Sequence, residues 1–69
     1  MTMNNQELGE LIKNRRKSLN VTQPTLALLA GVGLNTLVAI ERGKGNPKIE
    51  TLLTVLDTLG LKLDVSLKD

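Results

Sequence analysis

The chain has 69 residues, of which 41% are hydrophobic and none aromatic, with no cysteine, no histidine and a net charge of +2. That is room for one small domain with a thin core, since folding at this size buries only roughly 60% of the unfolded surface. It excludes base stacking on aromatic platforms, disulfides, thiol nucleophiles and cysteine-ligated zinc, and histidine as general base or metal ligand.

In chain order, the spacing predicts a first helix over about 5–18, with Leu8, Leu11, Ile12 and Leu19 as one apolar stripe. Asn20 and Val21 break the pattern. Thr22 reads as an N-cap, because its hydroxyl accepts an orphan backbone N–H. Pro24 falls in the first turn of a second, short helix from Gln23 to Ala30, where its missing N–H does little harm. Gly31-Val32-Gly33 ends that helix, because Gly31 takes the left-handed conformation without steric cost. A third helix is expected from about Leu34 to Arg42, with Leu37 and Ile40 on its inner face. Gly43-Lys44-Gly45-Asn46-Pro47 is a loop by composition. A fourth helix is expected from about Lys48 to Leu59, with Ile49, Leu52, Leu53, Leu56 and Leu59 inside, Val55 outside and Gly60 as its stop. The period then changes to two. Leu61, Leu63, Val65 and Leu67 alternate with polar residues, which reads as a half-buried strand. A single strand after four helices has no partner within the chain. Its simplest partner is the same strand of a second copy, antiparallel about a two-fold axis. The alternative is a loose tail whose leucines pad the core. The expected fold is therefore all-α with a C-terminal dimerisation strand: a helical domain over 1–60 and a strand and tail over 61–69.

No apolar run approaches the roughly 18 residues of a membrane span. The segment from Met1 to Gly9 lacks a signal-peptide pattern, so the expectation is a cytoplasmic protein with no membrane partner. Charge is unevenly spread. From Lys13 to Lys48 seven basic residues face one acid, Glu41. A basic middle between acidic ends points to a polyanionic partner, or else to a solvated basic face. Enzymatic chemistry finds no footing. Ser18 and Ser66 are the only serines and have no histidine to activate them. Gly43-Lys44-Gly45 lacks the spacing of a phosphate loop, and Gly31-Val32-Gly33 lacks the third glycine of a dinucleotide site. The acids form no dyad or metal cage. No catalytic residue, metal or cofactor is expected.

The middle of the chain lines up as helix, tight turn, helix. Small Ala27 lets two helices cross closely, Gly31 makes the turn, and Val32, Leu37 and Ile40 lock the pair. Such a unit presents its second helix to the DNA major groove. The carriers Arg16, Leu19, Val21-Thr22-Gln23, Leu26-Ala27, Gly31-Val32, Leu37 and Ile40-Glu41-Arg42-Gly43, continued by Asn46-Pro47 and 49–53, resemble the Cro and phage-repressor (XRE-type) helix-turn-helix family. The resemblance covers about Leu8 to Leu59 and implies the lambda-repressor-like four-helix fold. The tail from Leu61 to Val65 is similar to a narrower branch, the HipB-like antitoxins, in which a C-terminal strand pairs across a homodimer.

The family resemblance implies a buried pair between helices 1 and 3, here Arg16 and Glu41. Arg15 lies nearer the centre of the apolar stripe, but the family's seven-residue step to Gln23 assigns Arg16. By position, Gln23 meets a phosphate at the start of helix 2. Asn35 and Thr36 meet base edges at the start of helix 3. Gly33 and Leu34 match base-facing family positions. Arg42, Lys44 and Lys48 neutralise phosphates, with Arg15 and Lys17 adding to the field. One departure stands out. The outward side of helix 3 reads Leu34, Asn35, Val38, Ala39, so direct readout is sparse and leans on thymine methyls or DNA shape. Leu28 and Leu29 fall at outward positions of helix 2, as core padding or as a protein-binding patch. The reading is a sequence-specific transcriptional repressor of double-stranded operator DNA, the antitoxin and autorepressor of a toxin–antitoxin pair with a cognate toxin as partner. The alternatives are a phage-type or housekeeping repressor without a toxin, and a protein-interaction module with weakened DNA readout.

Overall fold

The computed structural model describes residues 3–67. It contains α1 (Asn5–Ser18), α2 (Gln23–Ala30), α3 (Leu34–Glu41) and α4 (Ile49–Thr58). Local chemistry sets the helix starts. Asn4 accepts from the Glu7 N–H at 2.8 Å while Glu7 accepts from the Asn4 N–H at 3.3 Å, a reciprocal capping box. Thr22 accepts from the Thr25 N–H at 3.3 Å, with Pro24 in the first turn of α2.

All four helices end in one way. Asn20, Gly31, Gly43 and Gly60 each have positive φ, between 58° and 71°. In α2, Gly31 N–H donates to the Leu28 carbonyl at 3.2 Å and Val32 N–H to the Ala27 carbonyl at 3.0 Å. The same two bonds recur at Asn20 and Val21, at Gly43 and Lys44, and at Gly60 and Leu61. This motif satisfies the last carbonyls and carries an apolar residue just beyond the turn back to the core. Val21, Val32 and Leu61 make that return and pack against the core.

Ile12, Leu26, Leu37, Val55 and Leu59 are its large fully buried side chains, joined by Ala27, Ala30, Ile40 and Leu56. Helix α1 packs on α3, and α2 packs on both α3 and α4. Two expected faces are rotated. In α1, Arg16 takes the inner position one turn after Ile12, so Leu11 and Leu19 stay 40% and 43% exposed. In α4, Val55 is fully buried rather than outside, because it lies one turn from both Leu52 and Leu59. Ile49 and Leu53 are consequently exposed.

Residues 61–67 form no strand among the described residues. Leu61 is half-buried, and its N–H donates to the Leu56 carbonyl at 2.8 Å. Beyond it, Leu63, Val65 and Leu67 are exposed, so of the loose-tail alternative only Leu61 pads the core. A ladder needs a second chain segment, which this single chain does not supply. No single helix among the described residues is long and apolar enough to cross a membrane.

Candidate nucleic-acid interface

The chain bends by 114° between α2 and α3. The bend is made by Gly31 in the left-handed conformation, half-buried Val32 and extended Gly33. It sets α3 across α2, with Leu37, Ile40 and Glu41 facing in. Gly33, Leu34, Asn35 and Thr36 are exposed at the start of the helix, and Val38 and Ala39 are half-buried behind them. The outward face is as sparse in hydrogen-bonding side chains as its sequence.

Arg16 ties this element to α1. Its Nε donates to Glu41 Oε2 at 2.7 Å and its Nη2 to Glu41 Oε1 at 2.9 Å, a two-point contact. Its Nη1 donates to the Val21 carbonyl at 2.8 Å, so the same guanidinium also holds the α1–α2 connection. Both side chains are buried. The hydrogen bond it donates to Glu41 holds the Arg16 guanidinium above its ordinary pKa, against the opposing effect of burial. Arg15 points elsewhere. Its Nε donates to the Leu59 carbonyl at 2.9 Å and closes the end of α4.

Gln23 is also engaged within the protein. Its Nε2 donates to Glu41 Oε1 at 3.1 Å, which leaves its second N–H free for an outside acceptor. Arg42 directly follows α3 and is exposed, as are Lys44 and Lys48. Thr36, Lys44, Lys48 and Thr51 line one groove of about 410 Å³ between α3 and the start of α4. The site residues read from sequence thus fall on two flanks of α3, with Gln23 and Arg42 on one side and Lys44 and Lys48 on the other. Two contributors carry no local sequence signal. Gly9 is buried where α1 meets α3, and Lys13 stands beside Gln23 and Arg42.

A helix-turn-helix family model, HTH_3, matches residues 12–66. The chain belongs to this family. Among its relatives, the uncharacterized HTH-type transcriptional regulator y4mF of Sinorhizobium fredii is 42% identical over 59 residues, covering 86% of this chain and 78% of that protein. The cryptic phage CTXphi transcriptional repressor RstR of Vibrio cholerae is 33% identical over 58 residues, covering 84% of this chain and 52% of RstR. A solved HTH_3 family transcriptional regulator from Vibrio cholerae superposes with a TM-score of 0.76 at 33% identity, over 84% of this chain and 33% of that one. The chain therefore spans most of y4mF but only about half of RstR and a third of the solved Vibrio regulator.

Proposed function

We propose that the chain is a DNA-binding transcriptional repressor that acts as a homodimer. One observation carries the reading: α3 follows α2 at a 114° bend and exposes Asn35 and Thr36, with basic residues on both flanks. In this reading α3 enters the major groove, Asn35 pairs with a base edge, and Leu34 touches thymine methyls. Gln23, Arg42, Lys44 and Lys48 hold phosphates and fix the register. The regulator and repressor names of the relatives support the assignment, and nothing in the family or the fold calls for an enzyme. Salt-dependent titration of the protein on duplexes from its own promoter and on unrelated duplexes tests it. A sequence preference with steep salt dependence is expected, and equal, weak binding to every duplex would overturn it.

The dimer is assigned to the tail. Leu63, Val65 and Leu67 are 48%, 92% and 95% exposed, and no backbone hydrogen bond among the described residues involves 62–67. A two-strand ribbon across two copies would pair that backbone and cover those side chains.

Two finer readings differ in the protein partner. The repressor name of RstR favours a phage-type repressor with no further partner. The exposure of Leu28 at 82% and Leu29 at 65% favours an additional protein partner, as an antitoxin has in its toxin. A neighbouring gene for a kinase-like toxin, whose product co-purifies with wild type and not with Leu28→Ser, is the expected outcome for the antitoxin.

A further inference from the structure

The Arg16–Glu41 pair forms the floor of an open groove of about 290 Å³. Its walls carry Lys13 from α1, Gln23 from α2, and Val38 and Arg42 from α3 and its end. A water occupies about 30 Å³ in the liquid, so a phosphodiester fits with its remaining hydration. The acid in the floor is already compensated. Both Glu41 oxygens accept from Arg16, and one accepts from Gln23 as well. Lys13 and Arg42 are exposed, and neither joins an ion pair among the described residues. The groove therefore holds two uncompensated cations and the free N–H of Gln23, all donors and no free acid.

Its place beside α3 identifies the anion. A helix with its side chains is about 10–12 Å across and the major groove is about 12 Å wide, so a helix lying there has a phosphate strand on each side. Lys44 and Lys48 provide for one side of α3, and Lys13 with Arg42 provide for the other.

We propose that the Lys13–Gln23–Arg42 groove seats one backbone phosphate of duplex DNA, with Lys13 as a direct contact from α1. This rests on the DNA-binding reading above. It adds that α1 takes part in the contact, on a floor that the buried pair keeps neutral and rigid.

Lys13→Gln tests it. Lys13 is exposed, so the variant should keep the wild-type circular dichroism and melting. It should bind all duplexes more weakly by the same factor and lower the slope of log K against log salt by about one. Asn14→Ala, on the exposed side of α1, should leave the slope unchanged. Duplexes with a single neutral methylphosphonate, scanned along both strands, should include a position that weakens wild type but not Lys13→Gln. An unchanged slope for Lys13→Gln, while wild type binds DNA with its own steep slope, would overturn the groove and leave the DNA reading intact. Inorganic phosphate that shifts the Lys13 and Gln23 resonances, with the slope on DNA unaltered, would assign the groove to a free anion and overturn the proposal. Wild type without salt-dependent DNA binding would overturn both.

Discussion

Gly9 on α1 lies so close to α3 that a Cβ built on it would come within 2.8 Å of the Glu41 carbonyl oxygen. It would also meet the carbonyl oxygen of Ile40. Backbone oxygens cannot swing aside as a side-chain end can, so only glycine permits this spacing. The same close approach brings Arg16 within reach of Glu41. Gly9→Ala should therefore destabilise the domain by about 1–3 kcal/mol, although alanine is the better helix former by roughly 1 kcal/mol. In a domain of this size each kcal/mol lowers Tm by about 4–8 °C. Asn14→Ala, on the exposed side of α1, should leave Tm unchanged or raised. Equal melting of Gly9→Ala and wild type would mean that α1 and α3 separate easily.

Arg16→Met leaves the Glu41 carboxylate buried with only Gln23 as partner. Removing one member of a buried pair costs about 3–5 kcal/mol. A domain with so small a core has little more than that in reserve. Most of the helical circular dichroism should be lost at physiological temperature, and wild-type melting would contradict a contribution from the pair. The pH dependence has a definite sign. The folded-state pKa of Arg16 is raised, so its stabilisation is fully present below the unfolded-state value and is lost only as pH rises through the folded-state value. That window lies in strong alkali, so Arg16 should add no slope to stability across neutral and mildly alkaline pH.

Lys44→Ala removes a cation from the groove between α3 and α4. It should weaken binding about equally on all duplexes and reduce the salt slope by about one unit. An unaltered slope would take Lys44 out of the interface.

Asn35 is the leading hydrogen-bonding side chain exposed on the outward face of α3. A bidentate contact to adenine discriminates by about 1–3 kcal/mol. Asn35→Ala should lose that discrimination at one base pair per half-site and leave the others as they were. Uniform weakening across all operators would place Asn35 on the phosphate backbone instead.

The parts of this fold that sequence reveals have local causes. Thr22 caps α2 through Thr25, three residues on, and Gly31 and Gly60 stop helices through carbonyls less than two turns back. Helix limits are legible at that range. Helix facing is less so, because a leucine-rich chain offers several candidate stripes. Arg16 takes an inner position that apolar periodicity assigns to leucine, which turns Leu19 outward. In α4 the surplus of leucines hides Val55, the residue that is buried completely. Gly9 reads locally as a weak point in a helix, and its cause is a carbonyl more than thirty positions away. Gln23 meets Glu41 at a separation of 18 residues, so no periodicity reports the bond. The groove beside Lys13 exists only once three elements have packed. The tail shows the opposite case. Its alternation is plain in the sequence, and the segment that would pair with it lies outside the single chain.

That tail sets the final prediction. After Leu61 the backbone makes no hydrogen bond among the described residues up to position 67, and three apolar side chains face solvent. Pairing with the same segment of a second copy would satisfy the backbone and cover the side chains. Each apolar side chain taken fully from water contributes about 1.5–3 kcal/mol before ordering costs, which is substantial beside the stability of so small a domain. A dimer also couples two half-sites, and loss of the second contact should lower operator affinity by orders of magnitude. Leu63→Asp places a charge on the apolar side of the ribbon, where a two-fold axis brings its copy close. It should sediment as a monomer, retain its helices, and fail to bind specifically where wild type saturates. A Leu63→Asp protein that remains dimeric would move the interface to the exposed Ile49 and Leu53 on α4. Val55 cannot serve there, because it is buried in the core, so Leu53→Asp would then be the variant that separates the subunits.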